Sequence, residues 1–370
     1  MEDAGAALKA AEELVRHLRA HPKPSPAEHT AQLEQVDKVR SLLETPLDVM
    51  DRQMDMLAVC GAMHTLIWTE AIDQVPQDGN ISADELAFKV NMATSAIQRL
   101  MRVAISWGIF TEPAPDVYAH NDLSRAYRLS SMGPLFASRM NFTSVHLKLP
   151  EYFKTHAPED LFDPKKSPWS WSNGLEGLTF WEAVDQDHPR RRLWNSAFAL
   201  QRNVPVSGAV SGAFGGKLIL QDLPAVINSL SPADIPDIEP MAYDFFTPQP
   251  IQNAHVYFLR RVLHDFYPEE CIKIIQNTAV AMGPESRLII SDCVLPNRVD
   301  AGRMQGLYRT DLFMMYISGK EKTAAEFEKI LDCAGLELVK IWRSNVGAMA
   351  QVEARLKRST NISQDRAQAP

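Results

Sequence analysis

The chain has no apolar run of bilayer length, no excess of positive charge and no clustered cysteines, and each absence removes a class of function. No stretch approaches the ~20 consecutive apolar residues of a membrane-spanning helix, so insertion into a bilayer is not expected. Lys and Arg number 38 against 46 Asp and Glu, a formal net charge of -8. No global basic field therefore exists to hold a polyanion, and nucleic acid is not an expected partner. Cys60, Cys271, Cys293 and Cys333 lie far apart and form no CxxC or Cys/His spacing. Neither a metal site nor a disulfide framework is expected from them. The opening segment, MEDAGAALKAAEELVRHLRAHPKPSP, lacks the apolar core and small-residue cleavage site of a secretory signal, so a cytoplasmic setting is expected and the sequons at Asn141 and Asn361 carry no weight. What remains is 45% hydrophobic and 23% charged, the balance of a soluble globular chain, and its 370 residues allow two or three domains at roughly 100–200 residues each.

Periodicity divides this length into two textures. Residues 2–20 and Ala27 to Leu43 carry apolar residues at helical spacing, separated by the breaker HPKPSP, and read as two surface helices. From Pro46 to Thr69 the apolar positions, Val49, Met50, Met54, Met56, Leu57, Val59, Cys60, Met63 and Leu66, are too dense for a one-faced surface helix. A mostly buried helix is expected there. Ser82 stands three residues before Glu85, the spacing of a capped helix start, and Asn91 to Thr94 reads as a turn. A second helix, Ser95 to Trp107, ends at Gly108, and Ile109-Phe110-Thr111 with Val117 to His120 reads as a β-hairpin. This order predicts a winged helix. Its second helix offers only Arg99 and Arg102 as cations, which favours dimerisation or scaffolding over DNA binding.

Residues 130–203 are helical and aromatic, with Trp169, Trp171, Trp181 and Trp194. After Lys217 short apolar strands alternate with helices. Strands are expected at Leu218 to Leu220, Val256 to Leu259, Arg287 to Cys293 and Leu336 to Trp342, and helices at Pro268 to Met282 and Thr323 to Ala334. Such alternation predicts an α/β sheet with helices on both faces. The polar tail from Arg358 is expected to be disordered.

Several residues fall where an α/β sheet places chemistry. Asp222 closes an apolar strand, a position from which a carboxylate can accept both hydroxyls of a ribose, although Asp before Leu-Pro also starts turns. His264 follows the strand Val256 to Leu259 and is suited to general-base work near neutral pH, the alternative being a capping or core histidine. Asp292 and Glu321 are candidate orienting carboxylates, with solvated surface charge as the alternative. Met314 and Met315 could wrap an apolar substrate, since thioethers pack adaptably, or belong to the core.

In order, LILQDLPAVI, MAYDFFTPQP, YFLRRVLHDF, RLIISDCVLP and DLFMMYISGKEKTAAEFEKIL resemble the caffeate-type, S-adenosylmethionine-dependent O-methyltransferases, particularly their fungal secondary-metabolism branch. The resemblance covers nearly the whole chain. It implies a helical winged-helix dimerisation domain (1–130), a helical substrate-capping linker (131–206), a Rossmann-like methyltransferase domain (207–358) and a tail (359–370). It further implies a homodimer formed through the N-terminal domain, acting on a phenolic or enolic hydroxyl of a small aromatic or polyketide-like metabolite. By the same resemblance His264 is the base that deprotonates the acceptor, flanked by Asp292 and Glu321; Asp292 stands where plant relatives usually keep Glu. Asp222 would hold the cofactor ribose, Asp244 and Phe245 would line the adenine pocket, Arg260 would lie near the cofactor, and Met314 and Met315 would face the acceptor ring. No metal is implied.

One part of the pattern is missing. The family carries a first strand ending in an acidic, glycine-rich turn, then a helix, ahead of LILQDLP. Here Asn203 to Leu218 runs NVPVSGAVSGAFGGKL, and roughly 30 residues, about one strand and one helix, are absent by comparison. That strand is central in a doubly wound sheet, so its loss leaves neighbouring strands with unpaired backbone groups. Ser207 to Gly216 is a candidate substitute, poor in β-branched residues and without an acid. Three readings follow: a methyltransferase lineage whose reading frame lost an exon, a relative that uses the pocket and His264 for a cyclisation or pericyclic step, and a noncatalytic dimer subunit.

Overall fold

The computed structural model describes residues 3–187, 190–191, 194, 216–231, 235–299, 305–344 and 349–357. Two compact units divide the chain, one comprising Met1–His17 and Gln35–Val206, the other Leu18–Glu34 and Ser207–Pro370. No helix among the described residues is long and apolar enough to cross a membrane.

Helices α1 (Asp3–Ala20) and α2 (Pro26–Leu43) are mostly exposed, as their one-sided patterns require. Helix α3 (Pro46–Trp68) starts at a capping box, in which Thr45 and Asp48 satisfy each other's backbone N–H groups. Its burial differs from expectation. Val59, Ala62, Met63, Leu66 and Ile67 in the second half are buried, whereas Met50, Met54, Met56 and Leu57 are 45–55% exposed. The dense apolar pattern thus serves two surfaces: the core of its own unit and a face that this unit leaves open.

After the short α4 (Ala71–Gln74), strand β1 (Ile81–Ser82) leads into α5 (Ala83–Lys89), whose first turn is capped by the Ser82 hydroxyl accepting from the Glu85 N–H. Helix α6 (Thr94–Ser106) ends before Gly108, which takes φ +72°. Strands β2 (Thr111–Ala114) and β3 (Val117–Ala119) form the hairpin, and the sheet order β1-β3-β2 completes the winged helix. Its core is Ile72, Ile81, Leu86, Ile97, Met101 and Tyr118, contributed by both helices and the wing. Helices α7 (Asp122–Ala126), α8 (Gly133–Met140), α9 (Thr143–Thr155), α10 (Pro168–Ser172) and α11 (Phe180–Gln186) follow. They are stitched by aromatic contacts: Trp169 packs edge-on against Phe180 at 4.8 Å, and Tyr152 stacks on His156 at 4.1 Å.

The second unit holds two separate sheets. Strand β4 (Leu218–Asp222), helix α12 (Pro224–Ile227) and strand β5 (Ile238–Ala242) form one parallel βαβ step. The other sheet has the order β6-β7-β10-β9. Strands β6 (Val256–Arg260) and β7 (Arg287–Leu295) are parallel and joined through α13 (Pro268–Ala279). Beyond β7 come α14 (Gln305–Tyr316), β8 (Lys322–Thr323), α15 (Ala324–Cys333), β9 (Leu336–Arg343) and β10 (Met349–Leu356). Strand β8 lies parallel to the end of β7, and β10 runs antiparallel between β7 and β9. The core beneath this sheet gathers Ile274, Ile275, Leu288, Ile290, Phe327, Leu331 and Val352.

Among the described residues no strand joins β4 to β6, so each keeps one unpaired edge. Val256 and Phe258 of β6 are 55% and 45% exposed, on what would be an interior strand of a continuous sheet. The candidate substitute, Ser207 to Gly216, lies outside the described residues except for Gly216, and so does the tail 359–370.

Candidate active site

The parallel strands of the second unit end on the residues that could carry chemistry. Strand β6 ends at Arg260, and Arg261 then takes the left-handed φ +55°, its N–H donating to the Ser291 carbonyl at 3.1 Å. A non-glycine residue pays strain for this conformation, of order 1–3 kcal/mol. The turn drops the chain into a single 3-10 turn, Leu263–Asp265, at the end of the sheet. There His264 is buried, with Nδ1 3.1 Å from Oε1 of Glu321 and Nε2 3.4 Å from Oδ1 of Asp265.

Glu321 is fully buried just before β8, its N–H donating to Oδ1 of Asp311 at 3.0 Å. Its Oε1 also lies 3.8 Å from Nη1 of Arg261, while Oε2 has no hydrogen-bond partner among the described residues. Asp292 sits on β7, 1% exposed, and neither of its carboxylate oxygens has a partner there. Sequence reasoning placed His264, Asp292 and Glu321 together, and the fold brings His264 and Glu321 into contact, with Asp292 acting on both through its charge. Arg261 and Asp265 also belong to this cluster and were missed. Their only signal was adjacency to the His264 turn.

Burial alone would lower the His264 pKa, but Asp265 and Glu321, with Asp292, outweigh it and raise it above the ordinary value. Burial pushes Asp292 up to about 6, with the Glu321 charge adding to it and His264, Arg261 and Lys322 opposing. In the tautomer that places the proton on Nδ1, facing Glu321, Nε2 is the nitrogen that can take a proton. Carboxylate, imidazole and guanidinium thus form one coupled network that can accept a proton and spread the resulting charge.

The other sequence candidates lie at the ends of β4, β5 and β6. Asp222 is exposed, and its Oδ1 accepts from the Leu223 N–H at 2.7 Å. Asp244 is exposed, and its Oδ1 accepts from the Phe246 N–H at 2.9 Å. Phe245 is half-buried in an aromatic cluster with Phe246 and Phe266, at 5.1 and 5.8 Å. Arg260 is half-buried at the end of β6. The β5 end is tied to α13, where the Asn277 side chain donates to the Phe245 carbonyl at 3.0 Å. Met314 is buried and Met315 half-buried in the last turn of α14, the Met314 carbonyl accepting from the Gly319 N–H at 2.7 Å. Among the described residues no group of three or more His, Cys, Asp or Glu could hold a metal ion.

This donor set suits a nucleoside. Asp222 ends strand β4, a position from which a carboxylate could accept the hydroxyls of a ribose, and Phe245 offers an aromatic surface beside Asp244.

Comparison with known proteins gives this geometry a context. Residues 206–337 match the model of an O-methyltransferase domain, and residues 51–130 that of an O-methyltransferase dimerisation domain. The O-methyltransferase hmp5 of Hypomyces subiculosus is 31% identical over 367 aligned positions, covering 88% of this chain and 92% of that protein. Those positions outnumber the residues that 88% of this chain supplies, so the relative carries residues for which this chain has no counterpart. The solved structure of OxaC in complex with sinefungin and meleagrin superposes with a TM-score of 0.82 at 25% identity, covering 95% of this chain and 99% of that one. A structure described as a pericyclic reaction enzyme shares the fold, with a TM-score of 0.74 at 21% identity over 96% of this chain and all of that one.

Proposed function

The chain belongs to the family of O-methyltransferases that join a dimerisation domain to a methyltransferase domain, and from that premise we propose that His264 is its general base and a phenolic or enolic hydroxyl its acceptor. The enzyme is an S-adenosylmethionine-dependent O-methyltransferase of fungal secondary metabolism. The cofactor supplies an activated methyl group. Asp222 would hold its ribose, Asp244 and Phe245 its adenine, and Arg260 would lie beside it. Met314 and Met315 would pack against an aromatic or polyketide-like acceptor.

The observation that carries the base assignment is the buried His264–Glu321 contact at 3.1 Å. Glu321 orients the ring through Nδ1 and stabilises the imidazolium that forms when Nε2 takes the acceptor proton. Asp292, whose carboxylate has no hydrogen-bond partner among the described residues, would lie on the other side of the base. The rest of the rate enhancement is proximity, since donor and nascent oxyanion need only be held in line. We assign residues 1–130 to dimerisation, 131–206 to capping the acceptor and 207–358 to methyl transfer. We place a homodimer interface on the exposed half of α3, a reading that the dimerisation-domain match supports, and four free cysteines fit a cytoplasmic setting.

The unpaired edges of β4 and β6 favour a second reading, in which the pocket and His264 serve a cyclisation or pericyclic step without methyl transfer. One experiment separates the two. Purified protein is incubated with phenols and enolised β-diketones, with and without S-adenosylmethionine, and products are read by mass. A methylated product that appears only with cofactor, and that His264→Ala lowers by about 10²–10⁴-fold, supports the first reading. A product of unchanged mass formed without cofactor supports the second.

A further inference from the structure

Lys322 is one of the largest fully buried side chains, at 1% exposure, although ammonium groups are almost never buried without partners. Its partners are three backbone carbonyls. Nζ donates to Leu263 O at 2.6 Å, Phe266 O at 2.8 Å and Lys320 O at 2.7 Å, which uses all three of its N–H groups. Two of these carbonyls bracket the His264 turn, one before it and one after, and the third belongs to the residue preceding Glu321.

The backbone on either side repeats the link. The Lys320 N–H donates to the His264 carbonyl at 2.8 Å. Gly319 comes so near that a Cβ there would stand 2.5 Å from the same oxygen. The Cys271 thiol of α13 reaches the same two carbonyls, Leu263 O at 3.3 Å and Phe266 O at 3.5 Å. Segment 319–322 and turn 263–266 are therefore zipped together, and the spacing of His264 and Glu321 is set by that zip.

We propose that Lys322 is a positioning residue for the reaction, the clamp that holds the His264 turn at hydrogen-bond distance from Glu321. It touches neither acceptor nor cofactor in this scheme and acts only through the base. Charge alone would be served by an ion pair with a carboxylate. Nζ instead makes charge-assisted hydrogen bonds to neutral carbonyls, an arrangement whose product is geometry. A hydrophobic residue of similar length would fill the space but remove the one donor that Leu263 O, Phe266 O and Lys320 O share, leaving the first two with the weaker Cys271 thiol, so the turn would relax away from segment 319–322. The proposal rests on His264 being the base.

The test reads the imidazole directly. Wild-type protein and Lys322→Met are labelled with 13C-histidine and titrated by NMR, the His264 signal being assigned by its loss in His264→Asn. The charged groups acting on this ring are Asp265, Glu321, Arg261 and Asp292. Removing a nearby positive charge would by itself raise an imidazole midpoint, whereas losing the Glu321 contact lowers it. The expected result is a fall of about one pH unit in Lys322→Met, with a smaller fall in Lys322→Gln, which keeps two N–H donors. A folded Lys322→Met whose His264 midpoint is unchanged or raised overturns the proposal. Should Lys322→Met not fold, Lys322→Gln is read by the same criterion, and failure of both to fold overturns it too, because the residue then supports the fold as a whole. The activity of His264→Ala tests the base assignment separately, so a failure of either claim can be told from a failure of the other.

Discussion

Asp292 is a buried carboxyl whose contribution to stability depends on pH. Its carboxyl is raised to about 6 from an unperturbed 3.8, chiefly by burial. A group whose folded pKa is raised contributes stability below its unfolded value and loses it as pH rises through the folded one. The loss therefore falls between about pH 4 and pH 6. Asp292→Asn removes it, and urea denaturation is expected to show the variant more stable than wild type at pH 7 by about 1–3 kcal/mol, with the difference shrinking towards pH 4. A wild-type stability flat across that window would contradict the burial argument. His264 has the same sign, its contribution present below the ordinary histidine value and lost as pH rises through its raised one. Of this cluster, His264, Asp292 and Glu321 were legible in sequence because each follows or precedes a recognisable strand or helix start. Arg261 was not, because nothing in Arg-Arg-Val-Leu-His-Asp says which arginine turns inward; a left-handed backbone at the second one decides it.

Between residues and fold stand the elements, and here local chemistry was read well where caps speak. Ser82 closes a helix start with Glu85 as the spacing suggests, and Thr323 with Glu326 forms a full capping box that the sequence reading had not singled out. Strands β5 and β10 escaped notice for physical reasons. The first, Ile-Glu-Pro-Met-Ala, carries a proline and a charge that an interior strand avoids. The second alternates correctly but buries Ala350 and Ala354 beside Val352, and alanine is a weak strand signal. The segment between α14 and β8 yields its own test. A methyl group at 319 would meet His264 O at 2.5 Å, so Gly319→Ala must push the base turn aside. Since a misplacement of 1 Å can cost on the order of 10²-fold, kcat is expected to fall about 10- to 100-fold with little change in the affinity for S-adenosylmethionine. A variant with wild-type kcat would show that the turn and segment 319–322 are not tightly coupled.

At the scale of the whole molecule, two exposed apolar features need partners, and they differ in kind. The first half of α3 shows Met50, Met54, Met56 and Leu57, a half-turned stripe that the sequence pattern read as core. Association with a second copy, as proposed above, would account for both the density of the pattern and its exposure. Met50→Lys together with Met54→Lys is expected to shift sedimentation from dimer to monomer at micromolar concentration; an unchanged dimer would place the interface elsewhere. The second feature lies between β4 and β6, where the sequence lacks the glycine-rich strand pattern and where, among the described residues, each strand keeps an unpaired edge and Val256 and Phe258 are exposed. Methyl transfer requires that the cofactor still be held without that pattern. The most direct measurement is therefore a calorimetric titration of folded, cofactor-free protein with S-adenosylmethionine. Binding with a micromolar Kd and one site per chain is the expected result, and the absence of binding in protein shown to be folded would rule out methyl transfer by this chain.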